Sequence, residues 1–340
     1  MDEREIQARA ERAMRDKLFP GCVVGVVDAT GMPKVFPFGH LTYDANSPPI
    51  VADTVYDLAS VTKSIVASLM LLVAAENPAR LNLAKRVVEY LPELRNDHGA
   101  TVEDLLTYRV KGPRLSTLQH ETCEEIRTHI FENGFDGPPG EHSYTNLPAY
   151  LLGIILERVT GETLPSLAHK HFFEPLHMTN TSFFPTAIPT HNPTYRTKRV
   201  YVDEMIAPTE IVDGVEIRGI VHDESARVFA RAHHAVGHAG LFSTAPDLLN
   251  FAEALLQGKL STVAEGAEKG LGWQVNEPWM GEKRGEKTFG KTGFTGTALI
   301  CDMQKGIGLV ILSNRTYPKR PPDTSTRDLF FASIADIVFA

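Results

Sequence analysis

The sequence predicts an α/β (α+β) fold, an antiparallel sheet flanked by helices with a mainly helical segment inserted into it. Three observations carry this. Strand patterns gather near the two ends of the chain. Helix and loop signals dominate between them. An amphipathic helical pattern closes the C-terminus. Strands contributed from both ends imply one α/β unit built by residues 1–75 and 236–340. Residues 76–235 then form a mainly helical insert, with a site expected where the two meet.

The elements follow in order. Residues 3–18 place Ile6, Ala10, Ala13, Met14 and Leu18 on one helical face. "CVVGVVDATG" (22–31) reads as a strand entering a turn, and "KVFPFGH" (34–40) as its hairpin partner. "VTKSIVASLMLLVAAE" after Ser60 is apolar on every face, the pattern of a helix buried inside a protein. "NLPAYLLGIILERVTG" (146–161) offers Asn146 as a cap and Gly161 as a stop. A Pro-rich, irregular region follows over about 174–220. Ser243-Thr-Ala-Pro246 starts another helix, and Gly258 follows its end. "GLGWQV" (270–275), "GTALICD" (296–302) and "GIGLVILSN" (306–314) read as successive strands, and residues 326–340 as the closing helix.

Composition bounds the function. The chain has 340 residues, enough to bury a sizeable core, and 43% of them are hydrophobic. A formal net charge of -8 argues against a nucleic-acid partner, which requires a basic face. Arg196-Thr-Lys-Arg199 is a short basic cluster and reads as solvated surface. The three cysteines, Cys22, Cys123 and Cys301, make neither a disulfide framework nor a C-x-x-C metal pair. His222, Asp223, His233, His234 and His238 cluster in sequence, but no H-E-x-x-H is present, and the region reads as a loop. No metal or organic cofactor is expected.

The longest apolar run, Ile65 to Ala75, is interrupted by Ser68 and falls short of the roughly 20 residues that span a bilayer. No membrane partner is expected. The first eighteen residues lack the apolar stretch of a secretory leader. As it stands the chain is expected in the cytoplasm, and in the periplasm or outside the cell if a leader has been removed.

One stretch admits two chemistries. "GEKTFGKT" (285–292) fits G-x-x-x-x-G-K-[ST], the phosphate-binding P-loop, whereas Lys291-Thr292-Gly293 fits a K-T-G motif. A P-loop needs a buried strand before it and a helix opening at its Lys-Thr. Here "NEPWMGEKR" precedes and the β pattern "GFTGTALICD" follows, so the P-loop fails on both flanks.

K-T-G belongs to a three-part set with S-x-x-K and S-D-N or its equivalent. Ser60-Val-Thr-Lys63 supplies the first part at the start of the buried helix, where i,i+3 spacing sets Lys63 beside Ser60. Tyr144-Thr-Asn146 supplies the second. No G-x-S-x-G elbow occurs, so a serine activated by lysine or tyrosine is the available nucleophile.

Here the chain resembles the serine enzymes of the class C β-lactamase type, with penicillin-binding proteins and β-lactamase-like esterases. The resemblance rests on "YTNLPAYLLGIILERVTG" leading to "FEPLHMTNT" (173–181), then "GHAGLFSTAPDLLNFAEALL" (237–256), "GKTGFTGT" (290–297) and "LVILSNRTYP" (309–318). It runs in the family's order from about residue 20 to the C-terminus.

The resemblance implies a β-lactamase/transpeptidase-like fold and an acyl-enzyme on Ser60, with Lys63 and Tyr144 as alternative bases. It implies that Asn146 holds the substrate amide and orients Lys63. Lys291 and Thr292 would bind a substrate carboxylate, with Gly293 letting the strand edge approach the ligand. The amides of Ser60 and Phe294 would form the oxyanion hole. The implied substrates are small molecules: β-lactams, or D-Ala-type and cell-wall peptide amides. A carboxylesterase with the same site and a slow-turnover penicillin-binding sensor are the alternatives. The family's His-Thr-Ser-Gly after "DLLT" (104–107) is replaced here by Tyr108-Arg-Val-Lys-Gly112. This departure is expected to lie near the site entrance and to leave the three motifs untouched.

Overall fold

A computed structural model describes residues 1–185 and 205–340. Arg196–Arg199 and part of the Pro-rich region lie outside the described residues.

The N-terminal part comprises α1 (Glu3–Arg15), β1 (Gly21–Asp28), β2 (Lys34–Gly39), β3 (Tyr56–Asp57) and α2 (Val61–Glu76). The middle supplies α3 (Val87–Tyr90), α4 (Val102–Leu106), α5 (Cys123–Asn133), α6 (Leu147–Thr160), α7 (Leu164–Ala168), β4 (Glu210–Val212), β5 (Val215–Ile217) and α8 (Glu224–Arg231). The remainder supplies β6 (Phe242–Ser243), α9 (Ala245–Leu256), α10 (Ser261–Glu268), β7 (Gln274–Val275), β8 (Thr288–Gly293), β9 (Thr297–Asp302), β10 (Ile307–Ser313) and α11 (Ser325–Val338).

One six-stranded sheet, in the order β2-β1-β10-β9-β8-β7, joins the two ends of the chain. Every pairing in it is antiparallel. The central strands β1, β9 and β10 are buried on both faces, so they read as continuous apolar runs rather than alternating ones. Ile6, Ala10 and Ala13 of α1 and Phe331, Ile334 and Ala335 of α11 pack on one face with Ile300, Leu309 and Ile311. The other face carries Val23, Leu299, Val310 and Leu312 against α9 and α2.

Three sequence expectations are corrected. Only Gln274 and Val275 of "GLGWQV" form a strand; Gly270 and Gly272 ahead of them hold φ of +79° and +77°, which breaks an extended run. The 210–217 segment makes a small two-stranded ladder that no clear pattern announced. The cluster between His222 and His238 is not all loop, because Asp223 caps α8 with its carboxylate on the Ala226 amide.

The P-loop reading fails in the structure as well. Lys291 and Thr292 lie within β8, which pairs with β9, and no helix opens there.

α2 determines where the site sits. It is buried from Val61 through Leu71 and again at Val73. Fully burying each of Ile65, Val66 and Leu69, all 0% exposed, contributes about 1.5–3 kcal/mol. Its polar groups are matched within the core: Ser64 Oγ donates to the Gly272 carbonyl, and Thr62 Oγ1 accepts the Leu241 amide. The first turn of α2 is therefore a rigid platform. Among the described residues, no helix is long and apolar enough to cross a membrane.

Candidate active site

Ser60 caps α2 without using its own side chain as the cap, which leaves its hydroxyl for other partners. Ala59, just before it, sits at φ +46°, a conformation that costs energy for any residue with a Cβ. Asp57 holds this turn in place. Its Oδ1 accepts the Ala59 amide at 2.8 Å, and its Oδ2 accepts the His222 amide at 2.7 Å.

One turn into α2, Lys63 is 1% exposed. Its Nζ donates to Ser60 Oγ at 2.8 Å and to the His238 carbonyl at 2.7 Å. The spacing of three residues thus does what helix geometry requires of it.

Tyr144 reaches the same point from the loop before α6. That loop is tied to its neighbour by the Ser143 amide on the Tyr108 carbonyl, at 2.7 Å, and the Gly140 amide on the Arg109 carbonyl, at 2.9 Å. Tyr144 lines the open cleft and is 45% exposed. Lys291 Nζ stands 4.0 Å from its ring centre and Lys63 Nζ 5.4 Å. Burial alone would push the phenol up. The two ammonium groups, with hydrogen bonding from Ser60 and Lys291, overcome that and bring it down to about 7.

Lys291 lies on β8 and is 3% exposed. Burial lowers its pKa, and the nearby phenol of Tyr144 pulls the other way. Among the described residues, no carboxylate forms an ion pair with Lys291 or Lys63. β7 pairs only with Phe289 and Gly290, so Lys291 to Gly293 keep an unpaired outer edge. Thr292 and Phe294 line the cleft beside it.

The turn after β8 is held against the base of α2. Thr295 Oγ1 donates to the Asp57 carbonyl at 2.7 Å, and Thr297 Oγ1 to the Leu58 carbonyl at 3.0 Å. Gly293 permits this approach. A Cβ there would stand 2.1 Å from Thr297 Oγ1 and 2.3 Å from the Leu58 carbonyl oxygen. The amides of Ser60 and Phe294 donate to no protein group among the described residues.

Asn146 differs from expectation. It is neither a side-chain cap of α6 nor a partner of Lys63. Its Nδ2 donates to Asp223 Oδ2 at 3.0 Å. Asp223 also accepts from the Ser225 hydroxyl and lies 3.4 Å from His238 Nε2. Burial would raise its carboxyl, but His238 and these hydrogen bonds hold it well below the usual range. Lys63 is instead aligned by the His238 backbone. Sequence reasoning missed this group because a carbonyl has no letter of its own. His222 and His238, grouped earlier as possible ligands, are taken up by such contacts: His222 Nε2 lies 3.1 Å from Glu210 Oε2, and His238 Nε2 lies 3.0 Å from Ser225 Oγ.

Tyr108 is the other surprise. It is 6% exposed, at φ +55°, with its ring 5.1 Å from that of Tyr144 and 5.8 Å from Lys291 Nζ. The departure from the family's sequence therefore reaches the motif residues themselves. The one signal available in the sequence was that mismatch.

Ser60, Tyr108, Tyr144, Asn146, Lys291, Thr292 and Phe294 line a cleft of about 1000 Å³ that also admits Trp273, Glu277, Arg320 and Arg327, with Lys63 buried behind Ser60.

A Beta-lactamase family profile matches residues 6–332. Among curated proteins, the chain is 28% identical over 319 residues to a "Putative D-alanyl-D-alanine carboxypeptidase" of Escherichia coli (strain K12), covering 78% of this chain and 70% of that one. It is 26% identical over 375 residues to an "N-acetylmuramyl-L-alanine amidase" of Bacillus subtilis (strain 168), covering 92% and 82%. Two solved structures share the fold at 20% identity. EstCE1, "a hydrolase with promiscuous acyltransferase activity", superposes with a TM-score of 0.73 over 99% of this chain and 98% of its own. Simvastatin synthase (LovD) of Aspergillus terreus gives 0.70 over 98% and 94%. With the profile spanning nearly the whole chain, this protein belongs to the Beta-lactamase family of serine hydrolases.

Proposed function

We propose that this enzyme forms an acyl-enzyme on Ser60 with β-lactam or D-Ala-type cell-wall peptide amides. The observation that carries the substrate class is Lys291, a buried ammonium at an open strand edge that has no carboxylate partner among the described residues. An extended ligand with a terminal carboxylate would supply both what the cation lacks and what the edge amides lack. The names of the E. coli and B. subtilis relatives point to the same class of cell-wall substrate.

In this reading the Tyr144 phenolate takes the Ser60 proton while Lys63 donates to Oγ. Oγ attacks the substrate carbonyl carbon. The carbonyl electrons move onto oxygen, held by the amides of Ser60 and Phe294. Collapse breaks the C–N bond, and Tyr144 returns its proton to the leaving nitrogen. Water then attacks the ester with Tyr144 again taking the proton; the C–Oγ bond breaks, Tyr144 returns that proton to Ser60 Oγ, and the carboxylic acid is released. Asn146 presents its amide to the substrate from the Asp223 anchor. The cleft would be the junction of two domains, residues 1–75 with 236–340 and residues 76–235.

The test is a substrate panel on wild type and Ser60→Ala: a chromogenic cephalosporin, a peptide ending in D-Ala-D-Ala, a muramyl-peptide amide and a p-nitrophenyl ester. Turnover of a lactam or an amide, abolished in Ser60→Ala, supports the proposal. Turnover of the ester alone replaces it with a carboxylesterase. A penicillin adduct that persists in the intact mass replaces it with a sensor.

A further inference from the structure

We propose that Arg327 is a positioning residue for the oxyanion hole, acting on the Phe294 amide through the Gly293 carbonyl. The inference rests on the reading of the Ser60 and Phe294 amides as that hole.

The Gly293 carbonyl and the Phe294 N–H belong to one peptide group, so fixing the oxygen fixes the direction of the hydrogen. Arg327, in the first turn of α11, donates to that oxygen from Nη1 at 3.0 Å. The Gly296 amide adds a second bond at 3.2 Å. The next carbonyl, that of Phe294, receives Arg315 Nη1, also at 3.0 Å. Two successive peptide planes are therefore each held by a guanidinium.

The need for this comes from Gly293. Steric crowding requires a glycine there, and glycine resists rotation about its own backbone less than any other residue. Rotation of the 293–294 peptide would turn the Phe294 N–H out of the cleft. A charge-assisted bond to the carbonyl opposes that rotation more strongly than a neutral one.

Arg327 is itself held. Its Nε and Nη2 donate to Asp328 Oδ1 at 2.9 Å and 2.6 Å, and Thr324 Oγ1 donates to Asp328 Oδ2 at 3.2 Å. At 7% exposure Arg327 is buried, yet it lines the cleft beside Phe294. Direct contact with a substrate carboxylate is the competing role, and neutral ligands separate the two.

The experiment compares wild type with Arg327→Met, Arg327→Lys and Asp328→Asn, using p-nitrophenyl acetate as a neutral substrate and phenylboronic acid as a neutral tetrahedral mimic. Thermal melting checks that each variant is folded. Losing a hole donor outright costs about 10²–10³-fold, so a mis-aimed donor is expected to cost about 10–100-fold in kcat. Arg327→Met is expected to show that loss with KM little changed, and an equal weakening of phenylboronic acid. Arg327→Lys should recover part of both, because an ammonium can still reach the carbonyl. Asp328→Asn should lose less than about threefold, since its amide oxygen can still hold the guanidinium. A purely structural role would move the melting temperature without a matched loss of boronate affinity.

The inference is overturned if a folded Arg327→Met keeps both ester turnover and boronate affinity within about twofold, or if a folded Arg327→Lys recovers neither. It is overturned equally if the loss is confined to substrates bearing a carboxylate. Should wild type neither bind phenylboronic acid nor depend on Ser60, the reading of the hole fails and this inference falls with it.

Discussion

Replacing Lys291 by Met tests the coupling between Lys291 and Tyr144. The substitution keeps the volume and removes the charge that stands 4.0 Å from the Tyr144 ring centre. Two unit charges about 4 Å apart interact by about 4 kcal/mol at an effective dielectric of 20 and by about 1 kcal/mol in water. Tyr144 is 45% exposed, so solvent screens the pair and the lower figure applies. About 1 kcal/mol corresponds to a little under one pH unit. The Tyr144 phenol at about 7 would therefore rise to near 8.

The active form in this account is the phenolate, so kcat/KM should climb with pH through the phenol's pKa and then level off. The assay is kcat/KM for p-nitrophenyl acetate between pH 5 and 10. A neutral ester is chosen because it needs no carboxylate contact. Wild type is expected to show a midpoint near pH 7, and Lys291→Met a midpoint displaced upward by a little under one pH unit. At pH 6 the variant should be about fivefold slower, while the alkaline plateaus should agree within about twofold. An unmoved midpoint with an equal loss at every pH would refute the reasoning, because Lys291 would then contribute binding and leave the phenol alone.

Other expectations follow from single residues. Gly293→Ala forces a Cβ against the Leu58 carbonyl, so it should lower stability by about 1–3 kcal/mol in denaturant melts and remove most esterase activity. Tyr108→Ala removes the ring that packs on Tyr144, and should reduce kcat for the acetate ester about tenfold with a smaller change in KM, read from steady-state kinetics. Asp247 is 3% exposed, and burial raises its carboxyl from 3.8 to about 6 against hydrogen bonds from Thr181 and Asn180. A raised folded-state pKa gives a contribution fully present below about 4 and lost as pH climbs through about 6, amounting to roughly 3 kcal/mol. Chemical denaturation between pH 4 and 7 should show that decline in wild type and not in Asp247→Asn.

Much of the fold can be read from the sequence because its signals are local. The largely apolar stretch after Ser60 became the buried α2, and Gly161 ends α6 at φ +76°. The hairpin of β1 with β2 and the adjacent strands β9 and β10 followed from short apolar segments between turns, whereas β8, TFGKTG, carries no such run. β4 and β5 were not foreseen, since three-residue strands hold too little periodicity to register.

The site divides in the same way. Ser60 and Lys63 share one helical turn, so their contact follows from spacing. Lys291 and Tyr144 meet across 147 positions, and only an ordered set of motifs could join them. The supports were out of reach. Lys63 is anchored by a backbone carbonyl 175 residues away. Gly293 is held by an arginine 34 residues on, in a segment that reads as an ordinary amphipathic helix. Asn146 was assigned to Lys63, whereas the competing acceptor, Asp223, lies 77 positions downstream.

The central claim is that Ser60 is the nucleophile. It is tested most directly by treating wild type and Ser60→Ala with a fluorophosphonate and measuring intact mass, followed by peptide mapping. The account expects one adduct per chain on wild type, located at Ser60, and none on a Ser60→Ala variant with an unchanged circular-dichroism spectrum. Equal labelling of both proteins, or an adduct mapped to another residue, would contradict it.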